Sequence, residues 1–89
     1  MLKPVTTNQF EKDIKLAKKR GKELDKVFKI MQSLLNQEKL PIKNKDHVLT
    51  GNYINRRECH IEPDWLLIYK LEKDSIIFER TGTHSDLFR

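Results

Sequence analysis

The chain has 89 residues, enough for one domain (1–89) and too few for two independent cores. Apolar residues make up 37% and charged residues 35%, so the core is small, but the apolar positions recur periodically, which excludes a wholly disordered chain. With 18 Lys+Arg against 13 Asp+Glu the net charge is +5, which favours an anionic partner: nucleic acid, an acidic protein segment or a membrane surface.

The opening MLKPVTTNQF has no apolar signal core, and no window approaches the ~18 apolar residues of a membrane span. A cytoplasmic protein without a membrane partner is expected. Lys3 to Thr6 suits a short edge strand, because Pro4 is tolerated only at an edge or a strand start. Asn8 and Glu11 have the spacing of a helix cap and its reciprocal carboxylate. Phe10, Ile14 and Ala17 then share one face of a first helix, which Gly21 can close in a left-handed conformation. Leu24, Val27, Phe28, Met31, Leu34 and Leu35 form the apolar stripe of a second helix, read as core. The basic run Lys12, Lys15, Lys18, Lys19, Arg20, Lys22 and Lys26 is a solvated surface, and a phosphate-binding track if the ligand is RNA.

From Gln37 to Asn55 the pattern weakens into a connecting loop punctuated by Pro41 and Gly51. Strand character begins near Arg56 and runs to Ile61. It resumes at Trp65–Tyr69, apolar enough to be buried on both faces, and after the turn Glu72-Lys73-Asp74 it returns from Ser75 to Arg80 as the second arm of an antiparallel hairpin. These elements predict an α+β domain: two N-terminal helices packed on one face of a small antiparallel sheet, with a short N-terminal edge strand. Period-two alternation sends Glu58 and His60 to one side of their strand, the open one, and Cys59 and Ile61 to the core. As the only cysteine, Cys59 excludes an internal disulfide and suits a reducing compartment.

The three histidines, His47, His60 and His84, all lie in polar or loop-edge contexts. Imidazole exchanges protons near neutral pH, although a single histidine is more often a hydrogen-bonded surface residue than a catalyst. A zinc site drawn from His47, Cys59, His60 and His84 is disfavoured. Adjacent strand residues project to opposite faces, and there is no C-x-x-C or H-x-x-x-H pair. No metal or other cofactor is expected. Asp64 follows Pro63 in a turn, and Trp65 and Phe88 read either as packing or as stacking surfaces for bases.

The second half, taken together, resembles the YafQ branch of the RelE toxin superfamily. The resemblance is carried by Lys45-Asp46-His47, Leu49-Thr50-Gly51, Arg57-Glu58-Cys59-His60, Glu62-Pro63-Asp64-Trp65, Leu67–Leu71, Phe78–His84 and Leu87-Phe88. It implies a RelE-like fold and a ribosome-dependent endoribonuclease that cuts mRNA, the toxin of a toxin–antitoxin pair. By motif, His47 resembles the general base on the ribose 2′-hydroxyl and His84 the acid for the departing 5′-oxygen. His60 and Asp64 would orient and neutralise the phosphate, Arg80 would counter its developing charge, and Trp65 and Phe88 would hold bases. Glu58 stands where the YafQ pattern has aspartate, so its role on the RNA is left open. Cleavage through the 2′-hydroxyl needs a base, an acid and a cation, and no metal. The implied partners are the ribosome, mRNA and a cognate antitoxin with an acidic, partly disordered segment. Two other readings remain: a gyrase-inhibiting toxin of the ParE type, and a basic nucleic-acid-binding module without catalysis.

Overall fold

The computed structural model describes residues 1–51 and 55–88. Strand β1 (Lys3–Thr6) leads into α1 (Asn8–Lys19) and α2 (Leu24–Leu35). A 3-10 turn at Ile42–Asn44 then precedes β2 (His47–Val48), β3 (Arg57–Glu62), β4 (Trp65–Leu71), β5 (Ser75–Gly82) and a short α3 (His84–Leu87). The strands form one sheet in the order β1-β5-β4-β3-β2. Pairing is antiparallel throughout except at the edge, where β1 lies parallel to β5 with Val5 opposite Ile77. The chain reaches that parallel edge because α1 and α2 intervene as a crossover between β1 and the rest of the sheet.

The helices cover one face, as their apolar periodicity predicts. Phe10 and Ala17 of α1 and Val27, Leu34 and Leu35 of α2 pack against Cys59, Trp65, Leu67, Tyr69, Ile76 and Phe78 of the sheet. Two local details differ from the expected pattern. Thr7, not Asn8, caps α1: its hydroxyl accepts from the Phe10 N–H at 2.9 Å and donates to the Glu79 carbonyl at 2.9 Å, which ties the helix start to β5. A cap that also bonds the sheet outcompetes one that bonds only its own helix. Phe28 lies outside the core, 46% exposed, because α2 turns Val27, Ile30 and Leu34 toward the sheet instead. Gly21 closes α1 with φ 83°, as expected.

The 37–55 connection carries more structure than its sequence suggests, and residues 52–54 of it lie outside the described residues. Buried Asn44 donates to the His60 carbonyl at 2.7 Å, pinning the 3-10 turn against β3. Lys45 takes a left-handed conformation (φ 47°), and β2 then pairs His47 opposite Glu58. The Tyr69 hydroxyl donates to Asp46 at 2.7 Å, a second anchor immediately before His47. The hydroxyl's acidity is suppressed by burial and then by that carboxylate.

The second face of the sheet is not uniformly polar. Leu66 and Ile68 of β4 form a small apolar floor, roofed by Leu87 of α3 and flanked by Leu49. On β3 the alternation holds: Cys59 is fully buried under the helices and Ile61 packs with them, while Glu58 and His60 face the other way. Burial pushes the Cys59 thiol up to about 12, so it is an inert packing group. Cys59→Ala should therefore cost about 1 kcal/mol of stability or somewhat more. His60→Ala should leave the melting temperature within a few degrees, and thermal melts of both variants check the opposition.

Candidate active site

Four short segments bring the site residues together. The β2–β3 pairing puts His47 beside Glu58, with Nε2 3.1 Å from Oε2. The other ring nitrogen of His47, Nδ1, lies 2.6 Å from the Lys45 carbonyl oxygen. Both ring nitrogens thus face acceptors. Glu58 is 5% exposed, an uncommon state for a carboxylate that signals a partner. Two residues along β3, His60 turns to the same side, and its ring centroid is 5.7 Å from that of His84. Glu58, His60 and His84 each put a ligand-type atom within 4.8 Å of the others.

Asp64 sits in the turn between β3 and β4, where it reaches α3. Its Oδ1 accepts from the His84 N–H at 2.9 Å and contacts His84 Nδ1 at 2.6 Å. These two bonds, the backbone one first, hold the Asp64 carboxyl below its ordinary range. Asp64 thus engages Nδ1 of His84, whose side chain is a little over half exposed. Phe88, 42% exposed, lies beside it at 6.4 Å between ring centroids. His47, Glu58, His60, Asp64, His84 and Phe88 are thus assembled on one face.

Two expected site residues are placed differently. Trp65 is only 2% exposed, packs with the helix-side core and donates from Nε1 to the Thr81 hydroxyl at 3.0 Å. With Lys22 over its ring at 5.7 Å, it has no face free for a base. It supports the β3–β4 turn from beneath. Arg80 turns to α1 and makes a double contact with Asp13, Nε–Oδ2 2.8 Å and Nη2–Oδ1 3.3 Å.

Sequence reading missed Asp13 and Asp86. Asp13 is 7% exposed and also accepts from the Thr81 N–H at 3.1 Å. Its signal was legible: a carboxylate three residues after Phe10 and four before Ala17 lies on the core stripe of α1. Asp86 closes a capping box with Thr83, accepting from its N–H at 2.9 Å while Thr83 Oγ1 accepts from the Asp86 N–H at 3.1 Å. Arg20 of α1 grips the same carboxylate at 2.7 Å and, with the cap, holds its pKa far below the usual carboxylate range. Part of the basic run is thereby occupied: Arg20 pairs with Asp86, and Lys22 and Lys26 with Glu62. Lys12, Lys15, Lys18 and Lys19 remain exposed along α1.

Residues 2–89 match the family model described as a bacterial toxin of a type II toxin–antitoxin system, YafQ. The chain belongs to the YafQ toxin family. It is 48% identical over 83 residues to the mRNA interferase toxin YafQ of Escherichia coli K12, covering 92% of this chain and 90% of that protein. Its fold matches YafQ in the crystal structure of the E. coli DinJ–YafQ toxin–antitoxin complex with a TM-score of 0.91 at 45% identity, over 99% of this chain and 98% of that one. A metal-bound toxin from Helicobacter pylori matches with a TM-score of 0.93 at 39% identity, over 99% of this chain and 100% of that one. The RelE-like α+β fold expected from the motifs is the one found.

The attachment of α3 is the site's weak mechanical point. A Cβ at Gly82 would lie 2.9 Å from Asp86 Oδ2, so Gly82→Ala should push Asp86 off its cap. Asp86→Ala removes the carboxylate that accepts from the Thr83 N–H and pairs with Arg20, and leaves only the Thr83 hydroxyl to cap the helix. Both variants should speed amide exchange at His84–Leu87 while the β4–β5 hairpin stays protected, and unchanged exchange would refute the link. Asp64 and Asp86 have lowered pKa values in the fold, so their stabilisation is complete above the ordinary carboxylate range and is lost as pH falls below it. Acid should therefore loosen α3 before the body of the domain, seen as early loss of the His84 amide resonance.

Proposed function

We propose that this chain is the toxin of a toxin–antitoxin pair and acts as a ribosome-dependent endoribonuclease on mRNA. The observation that carries the reading is the assembly of His47, Glu58, His60, Asp64 and His84, far apart in sequence, on one face of the sheet. The chemistry starts at the ribose 2′-hydroxyl. Its proton passes to the His47–Glu58 pair as the oxygen attacks the adjacent phosphorus. His84, oriented by Asp64 through Nδ1, gives the proton of Nε2 to the departing 5′-oxygen. His60, beside His84, bonds a non-bridging phosphate oxygen, and Phe88 is the exposed ring that can stack on a base. The products are a 2′,3′-cyclic phosphate and a free 5′-hydroxyl, and every proton is accounted for without a cofactor. Arg80 acts through Asp13, or on the phosphate only after leaving it.

The exposed lysines of α1 suit the phosphate-rich surface of the ribosome. The cognate antitoxin, with its acidic segment, would meet the same net charge of +5. A gyrase inhibitor or a plain binding module would have no use for two histidine–carboxylate pairs on one face.

Purified protein should cut mRNA during translation and leave naked mRNA largely intact. His47→Ala and His84→Ala should each lower the single-turnover rate by about 10²–10⁴ without weakening ribosome binding. Near-normal rates in both variants, or equal cleavage of naked and translated mRNA, would contradict the reading.

A further inference from the structure

An RNA strand held at the histidine cluster has to continue past the reacting phosphate, and the surface offers it a path on one side. Two cavities of about 300 and 470 Å³ adjoin along the turn at Ile42–Asn44 and share Lys43, Asn44 and Ile61 in their walls. The first opens between His60, Pro63 and Lys45. The second continues between the turn and α2 over Ile30, Leu40 and Pro41, with Lys26 and Lys29 on the helix side. Since His60 faces the open side of the sheet and Ile61 packs with the helices, the two form one groove that leaves the site and wraps around the β3 side of the domain.

The groove has an excess of positive charge. Glu62, its one lining carboxylate among the described residues, is already held by Lys22 and Lys26 at 2.8 Å each. Lys29, Lys43 and Lys45 are exposed and enter none of the ion pairs of the described residues. The turn that carries two of them is fixed to the site, because buried Asn44 donates to the His60 carbonyl and the Lys45 carbonyl meets His47 Nδ1. Register gives the groove a direction. β2 pairs His47 opposite Glu58, so the chain running back through Lys45 to Lys43 tracks β3 from Glu58 past His60 toward Glu62. His47 marks the end where the 2′ proton is taken, and His84, beside His60, the end where the 5′-oxygen departs. The groove continues from the departing end.

We propose that this groove holds the single-stranded RNA on the 3′ side of the cleaved bond, with Lys43 and Lys45 on its first phosphates and Lys29 farther along. The assignment to the 3′ side rests on the acid and base roles proposed above. The lining suits this occupant: a single strand presents both phosphates, for the lysines at the rim, and unpaired bases, for the apolar walls at Ile30, Leu40 and Pro41. An acidic protein segment shares the charge, but the groove begins where a phosphate reacts, which favours RNA.

The probe is a hexaribonucleotide carrying 2′-O-methyl groups throughout, which has no attacking hydroxyl. It is titrated at low salt into the full-length protein and followed by backbone amide resonances. Lys29, Lys43 and Lys45 should shift together with His60 and His84. A nitroxide on the 3′ end of the probe should broaden Lys29 and Lys43, and one on the 5′ end should leave them sharp. Lys29→Ala and Lys43→Ala together should weaken binding about tenfold and reduce the salt slope by roughly 0.7 for each lysine removed. Lys43→Arg should bind as the parent does, and so should Lys73→Ala, which removes the same charge at the other end of β4. Absence of binding, shifts confined to the histidines, broadening of the groove by the 5′ label alone, or equal loss in Lys73→Ala and Lys43→Ala would each overturn the proposal. So would a poly-glutamate peptide that fills the groove more tightly than the RNA. If the parent protein cuts translated mRNA while the probe bypasses the groove, the proposed function stands and the groove assignment fails. A filled groove with no cleavage of translated mRNA would uphold the RNA surface and remove the proposed function.

Discussion

The Asp64 carboxylate bonds both the backbone N–H and the ring of His84, 20 residues away, and the rest of the site is arranged around that grip. A helix of four residues has no stability of its own. α3 exists because Asp64 holds its first residue, Thr83 and Asp86 cap it, Arg20 clamps the cap from α1, and Leu87 fills the floor made by Leu66 and Ile68. Three of these four attachments are charged or polar and partly exposed, so each is individually modest. Together they fix one imidazole against a sheet without burying it. A fully buried His84 would be better ordered and could not reach a phosphate.

β3 solves the complementary problem of placing polar groups on a strand whose neighbour β4 is buried on both faces. Alternation gives Cys59 to the helices and Glu58 and His60 to the site, and the turn at Pro63–Asp64 returns the chain to β4 within hydrogen-bonding range of α3. The Glu58 carboxylate is the costly element, since burying a charge is unfavourable unless it is paired. His47 supplies that partner, and Asn44 and Asp46 anchor the segment that delivers it. The protein thus spends packing contacts in the 40–48 region to keep one acid and one imidazole together.

Much of this was legible in the residues themselves. The helix stripes, the 65–80 hairpin and the parity of β3 follow from periods of 3.6 and 2, which depend on local geometry alone. The motif positions of His47, His60, Asp64 and His84 marked them as candidates, and the fold brings all four onto one face. What periodicity does not report is a contact whose two ends lie far apart in sequence. The parallel pairing of β1 with β5, the Thr7 bond to Glu79 that shifts the cap from Asn8, and the Asp13–Arg80 and Arg20–Asp86 pairs are all of this kind. Trp65 and Phe28 show the same limit from the apolar side. Whether an aromatic ring is buried or offered to a ligand depends on which neighbours reach it, and here Thr81 and Lys22 reach Trp65 while α2 turns Phe28 outward.

The account makes the RNA its own nucleophile, with the protein supplying only proton transfer and orientation. That claim can be tested with a translated mRNA carrying a single 2′-deoxy or 2′-O-methyl nucleotide on the 5′ side of the cleaved bond. The account expects cutting at that bond to stop while neighbouring unmodified sites are still cut, and it expects the unmodified substrate to yield 2′,3′-cyclic phosphate ends. Cleavage at the deoxy position at a comparable rate, or fragments ending in a free 3′-hydroxyl, would mean that a different nucleophile attacks and that the roles assigned to His47 and His84 are wrong.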